Sequence, residues 1–146
     1  MSTIDVAADI DIAAAPTDIA AVMFDPAREP EWVGAVTGVT VIDPALAVGA
    51  RVEHRGSFLG REIAWTTEVE RFHFPHVLAL RISDGPFVGV VRYEVQRVAG
   101  GGSRAAIRTT GEPGRFGFLP AALVTGPMRT AIQADLSRLK AIVEAV

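Results

Sequence analysis

In the first part of the chain, hydrophobic residues first recur at every second position and then give way to residues typical of a helix start. From Thr3 to Ala14, apolar residues alternate with polar or small ones, which predicts a strand with one buried face. Pro16 cannot continue a strand ladder, so a short helix is expected to begin near it. That helix is expected to end at Asp25, because the residue before a proline is pushed out of the helical region. A second short helix or turn should run to about Trp32.

The middle of the chain keeps the two-residue period. Turn signals such as Leu59-Gly60 and the glycine run at 100–102 divide it into strands. Strands joined by turns this short must run antiparallel. The predicted strands are Val39–Asp43, Ala50–Phe58, Arg61–Phe72, Val77–Ser83, Phe87–Val98 and Arg104–Thr110.

Near residue 117 the period changes to that of a helix. Apolar residues spaced three or four apart form one stripe, with polar residues on the opposite face. The stripe consists of Met128, Ile132, Leu136, Leu139, Val143 and Val146. The helix is expected to begin near Phe118 and to be kinked at Gly126-Pro127, since an internal proline removes a helical hydrogen bond.

An amphipathic helix and a sheet with one apolar face each need a covering surface, and pairing them satisfies both. We therefore predict one α+β domain over residues 1–146. A curved antiparallel sheet of six or seven strands wraps around the long C-terminal helix. Two short helices follow the first strand.

Strand parity predicts which side chains face the helix. The inner face is large and apolar, but several of its residues carry polar atoms, which is typical of a small-molecule cavity. The predicted ligand-binding residues are His54, Phe58, Trp65, Thr67, Phe87, Val91, Tyr93, Ile107, Thr109, Leu123 and Met128. Gly56 and Gly89 are expected to leave room beside them. The alternative is that the polar side chains satisfy one another or bound water inside a packed core.

The entrance of this cavity is expected where glycine and proline make the backbone irregular. Two segments meet that description, Phe116–Pro127 and the turn Asp84-Gly85-Pro86-Phe87. Apolar residues at both places would be needlessly exposed unless they served a binding site.

The outer face of the sheet carries the charges. Its glutamates are predicted to form cross-strand ion pairs with arginines rather than a catalytic carboxylate cluster. The glutamates are Glu53, Glu68, Glu70 and Glu94, and the arginines are Arg51, Arg55, Arg92 and Arg108.

Composition limits the function classes. The 146 residues suit one domain, contain no cysteine and carry a formal net charge of −3, so no broad basic surface for nucleic acid is implied. No apolar run approaches the ~20 residues of a membrane span, and the N-terminus does not read as a secretory signal. We expect a cytoplasmic protein, monomeric or homodimeric, with no nucleic-acid partner and no integral membrane association.

No cofactor or metal is predicted. The glycine run at 100–102 does not precede a helix, so it does not form a phosphate-binding loop. His73 and His76 lie three residues apart without further ligands nearby, and we expect both to be exposed turn residues. No serine lies in a nucleophile-elbow motif.

Several segments, in their order and spacing, resemble one family. They are Ile10–Ile19, Pro30–Val33, Gly60-Arg61 followed by Trp65, Val69 and Pro75, Arg92–Val95 before a glycine turn, and Leu136–Lys140. Together they resemble the helix-grip (START/SRPBCC) superfamily, and within it the polyketide cyclase/dehydratase-like branch. The resemblance covers nearly the whole chain and implies a cavity for a small hydrophobic molecule between the sheet and the last helix. It implies no single chemistry, because a fold does not determine a function.

Two main function classes follow. The first is binding of a lipid, sterol or aromatic polyketide-like ligand. The alternative is a cyclase or dehydratase in which His54 and Tyr93 act as acid/base groups, since histidine changes charge near neutral pH. A third class is a partner-binding domain that docks another protein through the convex sheet or through segment 116–127.

Overall fold

The strands and helices follow one another in the predicted order, with six consecutive strands between the short helices and the long one. A computed structural model describes residues 3–85, 87–113 and 121–145. The elements are β1 (Ile4–Ile12), α1 (Pro16–Met23), a 3₁₀ turn (Pro26–Arg28), α2 (Glu29–Trp32), β2 (Val36–Val41), β3 (Arg51–Phe58), β4 (Arg61–His73), β5 (Val77–Asp84), β6 (Phe87–Arg97), β7 (Ser103–Pro113) and α3 (Ala121–Glu144). The α+β prediction, with two short helices after the first strand, is confirmed.

Within the described residues the strands form one antiparallel sheet in the order β1-β7-β6-β5-β4-β3-β2. Every neighbouring pair except β1–β7 is also consecutive in the chain, as expected for strands joined by short turns. β1 reaches the far edge by pairing with β7, from Ile4 opposite Gly111 to Ile12 opposite Ser103. Strands joined in this way curve into a sheet with one concave, apolar face.

The long helix α3 packs along β1 and closes the core. The stripe residues Met128, Ile132, Leu136, Leu139 and Val143 are all buried in it. Val146 and the expected helix start near Phe118 lie outside the described residues. Pro127 stands inside α3, where it supplies no amide N–H to the helical hydrogen bonds.

The strand predicted at Val39–Asp43 is shifted toward the N-terminus and runs from Val36 to Val41. A bulge between Val36 and Gly38 breaks its pairing with β3, so the two-residue period does not extend across the whole strand. Asp43 lies beyond the strand, and its carboxylate accepts a hydrogen bond from the amide of Arg51 at 2.9 Å.

Gly56 and Gly89 are not spacers that enlarge a cavity, as the sequence suggested. A Cβ on Gly56 would overlap the carbonyl oxygen of Ala35, and one on Gly89 would overlap that of Thr110. Both glycines are therefore required by the close approach of neighbouring backbone.

The outer face carries ion pairs, but most have partners other than those predicted. Arg108 and Arg104 bind Asp5 and Asp11, which links β7 to β1. Further ion pairs among the described residues include Arg51–Asp43, Arg81–Glu70 and Arg92–Glu94, the last along one strand. Parity identified the charged face correctly, whereas the partners depend on the register and on the returning strand β1, which the sequence alone did not place.

His76 is not an exposed turn residue. Its side chain is half-buried, and Nδ1 lies 2.8 Å from the carbonyl oxygen of Val95, to which a ring N–H donates. His73 is exposed, as expected. Among the residues that the structure describes, no group of three or more His, Cys, Asp or Glu side chains could hold a metal ion.

Candidate functional site

A cavity of about 160 Å³ lies between the inner face of the sheet, α2 and α3. Most of its wall is aliphatic or aromatic. The polar side chains in the wall come from different elements and converge on the same space, an arrangement typical of small-molecule sites. The polar and titratable lining residues are Glu29, His54, Thr67, Tyr93, Thr109 and Asp135.

The structure brings together nearly all of the predicted ligand-binding residues. His54, Phe58, Trp65, Thr67, Phe87, Val91, Tyr93, Ile107, Thr109 and Met128 all line the cavity. Leu123 does not, since its side chain is 59% exposed. It is displaced by about 100° around the helix from Val124, which takes the lining position one turn before Met128. That these residues bind a ligand stays a prediction.

The predicted entrance falls partly outside the described residues. Pro86 and residues 114–120 belong to that undescribed part. Phe87, at the end of the predicted turn Asp84-Gly85-Pro86-Phe87, lines the cavity, and Gly85 in the same turn is buried. The position of the entrance therefore stays a prediction.

His54 is held on both ring nitrogens. Nδ1 lies 3.0 Å from Glu29 Oε1, and Nε2 lies 2.8 Å from Thr67 Oγ1. An ionised carboxylate can only accept a hydrogen bond, so the tautomer with a proton on Nδ1 is the one that would donate to an ionised Glu29. In the neutral imidazole, Nε2 then accepts the hydroxyl proton of Thr67. A carboxylate, an imidazole and a hydroxyl thus form one chain of hydrogen bonds at the cavity wall.

Strand pairing positions this chain. His54 on β3 lies directly opposite Trp65 on β4, and Thr67 is the next residue of β4 on the same face. The rings of His54 and Trp65 stack with centroids 5.1 Å apart and planes 3° apart. The stacked indole and the two hydrogen bonds fix the orientation of the imidazole. His54 as a whole is only 3% exposed.

Tyr93 belongs to an aromatic cluster and not to the histidine's hydrogen bonds. Its ring packs against Phe24 at 6.3 Å and edge-on against Trp32 at 5.6 Å. Burial, with smaller effects from the charges of Glu29 and Asp135, raises the pKa of Tyr93 well above its usual value. Tyr93 therefore keeps its proton at neutral pH and is suited to donate a hydrogen bond.

Several residues of the cavity wall were not predicted, and three of them carry polar side-chain atoms, namely Glu29, Trp32 and Asp135. Glu29 and Trp32 lie in α2, which the sequence indicated only as a short helix or turn. A signal for Asp135 was present, because it stands between Ile132 and Leu136 beside the apolar stripe of α3. An acidic residue at such a position is rare unless it is paired.

Asp135 joins α3 to the end of α2. Its carboxylate accepts a hydrogen bond from the amide of Gly34 at 2.9 Å and pairs with Arg138. Arg138 Nε also donates to the carbonyl oxygen of Trp32 at 2.9 Å. Burial raises the pKa of Asp135 even though the Gly34 amide and Arg138 act in the opposite direction.

The raised pKa of Asp135 predicts a pH-dependent contribution to stability. The folded state binds this proton more tightly than the unfolded state, whose pKa stays near 3.8. The contribution is therefore complete below pH 3.8 and is lost as the pH rises through the folded-state pKa. Denaturant unfolding across acidic pH should show that Asp135→Asn removes this component of the slope.

Glu31→Gln is the control for that measurement. Arg28 lowers the pKa of Glu31, so any contribution of this exposed residue has the opposite sign and is lost as the pH falls. Unchanged pH slopes in Asp135→Asn would contradict the assignment.

Trp32 carries the one buried side-chain nitrogen or oxygen without a hydrogen-bond partner in the part of the chain that the structure describes. The residue is 1% exposed and lines the cavity, yet no described group accepts the proton of its Nε1. A buried donor without an acceptor is uncommon in proteins.

Comparison with known proteins identifies a matching family and several solved structures with the same fold. A family model described as polyketide cyclase / dehydrase and lipid transport matches residues 3–144. No match is found among curated proteins. Within the described residues, no helix is long and apolar enough to cross a membrane.

Solved structures share the fold at low sequence identity. A START superfamily protein from Mycobacterium smegmatis is 14% identical, with a TM-score of 0.82 and 97% of each chain covered. The Zhui aromatase/cyclase from a Streptomyces species is 15% identical, with a TM-score of 0.80 and coverage of 97% of this chain and 94% of that one. A Thermus thermophilus protein is 21% identical, with a TM-score of 0.81 and 97% of each chain covered.

Proposed function

The chain belongs to the polyketide cyclase/dehydrase and lipid transport family, and on that premise we propose that it binds a small hydrophobic molecule between its sheet and α3. The observation that carries the proposal is the cavity of about 160 Å³, whose mainly apolar wall is interrupted by a few convergent polar groups. Burial of apolar surface there supplies most of the affinity, at roughly 25 cal/mol per Å². Lipid-like, sterol-like and aromatic polyketide-like molecules are the ligand classes that the family suggests.

Filling the cavity should weaken binding. Val91 lines the cavity from β6, so Val91→Phe places a ring in the space that a ligand would occupy. We expect the affinity for acetophenone and α-methylstyrene, two neutral one-ring probes, to fall by about tenfold or more. Isothermal titration calorimetry measures both affinities, and circular dichroism checks that the variant is folded.

The matched control is Val88→Phe on the same strand. Val88 is 48% exposed and has the opposite parity, so its ring should leave probe binding unchanged. Equal affinities in wild type and Val91→Phe, or no binding of either probe to the wild type, would contradict the proposal.

A second candidate function is a cyclase or dehydratase, and the Glu29–His54–Thr67 hydrogen bonds favour it. Dehydration of a β-hydroxy ketone needs a base to remove the proton between the two functional groups and an acid to protonate the departing hydroxyl. The proton leaves carbon, the C–O bond breaks, a C=C bond forms and water is released, so no cofactor is consumed. His54 can accept the first proton through the Thr67 hydroxyl, with Glu29 stabilising the imidazolium, and can return that proton to the departing hydroxyl so that water is released. Tyr93 can donate a hydrogen bond to the ketone oxygen.

We also propose that the protein is cytoplasmic, that it is a monomer or a homodimer, and that it has no nucleic-acid partner. The support is compositional, namely a net charge of −3 and no cysteine. Light scattering of the purified protein and fractionation of the cells that make it measure the two properties.

A further inference from the structure

The unpartnered indole N–H of Trp32 is a hydrogen-bond donor that the protein itself does not satisfy. Trp32 is 1% exposed, its ring packs edge-on against Tyr93 at 5.6 Å, and Arg138 donates a hydrogen bond to its backbone carbonyl oxygen. A buried donor without an acceptor costs free energy until some group accepts its proton. Because Trp32 lines the cavity, a molecule in the cavity can supply that acceptor.

The charges around the cavity select the kind of acceptor. Its described titratable residues are Glu29, His54, Tyr93 and Asp135, and no lysine or arginine is among the described lining residues. His54 already binds Glu29 and Thr67 through its two nitrogens. Arg138 pairs with Asp135 and donates to Trp32, so its charge is already engaged. A ligand carboxylate would lie near two acidic side chains without a free cation and would lose its hydration.

The size of the cavity limits the ligand further. Its volume of about 160 Å³ is close to that of a dry cavity of roughly 150 Å³ that holds a benzene molecule. The aromatic side chains in the wall, among them Trp65, Phe58 and Phe87, suit a ligand with an aromatic ring.

We propose that the ligand is an uncharged molecule of about one aromatic ring that carries a carbonyl oxygen, and that the Nε1–H of Trp32 donates a hydrogen bond to that oxygen. This inference rests on the proposed binding function and narrows it. It assigns Trp32 as the polar anchor of the site and excludes fatty-acid anions as ligands.

Three probes of nearly the same shape test the proposal. Acetophenone has the carbonyl, α-methylstyrene replaces that oxygen by a methylene group, and benzoate replaces the methyl ketone by an anion. Each is titrated at pH 7 into wild-type protein and Trp32→Phe, and calorimetry gives the affinities. Spectra of ¹⁵N-labelled wild type report the two indole N–H signals, because the chain has two tryptophans. Trp65→Phe shows which signal belongs to Trp32.

Acetophenone should move the Trp32 indole proton downfield, and α-methylstyrene should not. Trp32→Phe should weaken acetophenone by about 2- to 10-fold, the effect of one net hydrogen bond, and should change α-methylstyrene by less than about twofold. Benzoate should bind at least about tenfold more weakly than acetophenone. The indole shift is measured on the wild type, so it remains decisive if Trp32→Phe does not fold.

Different failures have different meanings. If neither neutral probe binds the wild type, the proposed binding function fails. If both bind but acetophenone leaves the Trp32 signal unmoved, the donor is satisfied otherwise, for instance by bound water, and only the present inference is overturned. Tighter binding of benzoate than of acetophenone also overturns it.

Discussion

Leu136→Ala is expected to lower the free energy of unfolding by about 2–5 kcal/mol, the usual range for emptying a well-packed site. Leu136 is 0% exposed and lies at the centre of the apolar stripe that α3 presents to the core. The helix packs along β1, whose Ile4 and Val6 are also fully buried, so the surroundings cannot easily collapse into the space left by the truncation. Denaturant titration followed by circular dichroism measures the change.

Gln133→Ala is the control on the same helix. Gln133 is exposed, so its side chain adds little, and the free energy of unfolding should change by less than about 0.5 kcal/mol. If both variants unfolded like the wild type, the helix would not be held by the sheet through this stripe. A loss confined to Leu136→Ala supports the packing described here.

His54→Ala separates the two candidate functions. If the protein is a dehydratase, this change should lower turnover by about 10²–10⁴-fold, because it removes the general base. Affinity for α-methylstyrene should change only a few-fold, since that probe makes no hydrogen bond and its binding comes from buried apolar area. A suitable assay substrate is 4-hydroxy-4-phenylbutan-2-one, which loses water to form a conjugated ketone whose absorbance can be followed.

His73→Ala is the control for this assay. His73 is exposed at the end of β4 and does not line the cavity, so turnover should be unchanged. Equal turnover by wild type and His54→Ala would exclude the mechanism through His54 and leave ligand binding as the function. Loss of turnover with retained α-methylstyrene affinity would instead support the dehydratase.

The sequence predicted the fold because local signals and tertiary structure agree in this chain. The two-residue period gave the faces of the strands, and it put His54, Trp65 and Thr67 on the inner face where the structure has them. Parity is a local property, since successive residues of a strand point to opposite sides. The four-residue spacing of the α3 stripe likewise placed Met128 at the cavity.

Partners of these residues could not be predicted in the same way. Glu29 reaches His54 from 25 positions earlier in the chain, and Asp135 reaches Gly34 across 101 positions. The hydrophobic periodicity of a sequence carries no information about contacts between residues so far apart. Leu123 was misplaced for a different reason, because it precedes the stripe and its direction depends on the rotation of the first helical turn. The glycines at 56 and 89 also show that a small residue can reflect contact with neighbouring backbone rather than open space.

The pairing of β1 with β7 has a consequence for the order in which the chain can fold. Ile4 pairs with Gly111, which is synthesised much later in the chain. Each of the strands β2 to β7, in contrast, can pair with a strand that is adjacent in sequence. During synthesis from the N-terminus, the hairpins can therefore assemble while the apolar side of β1 has neither its partner strand nor α3 to cover it. Asp5, Asp9 and Asp11 alternate with those apolar residues, so the other face of the unpaired β1 segment carries charge. Because α3 follows β7 in the chain, we expect its docking on β1 to come late and to close the cavity, bringing Val124, Met128 and Asp135 to its wall.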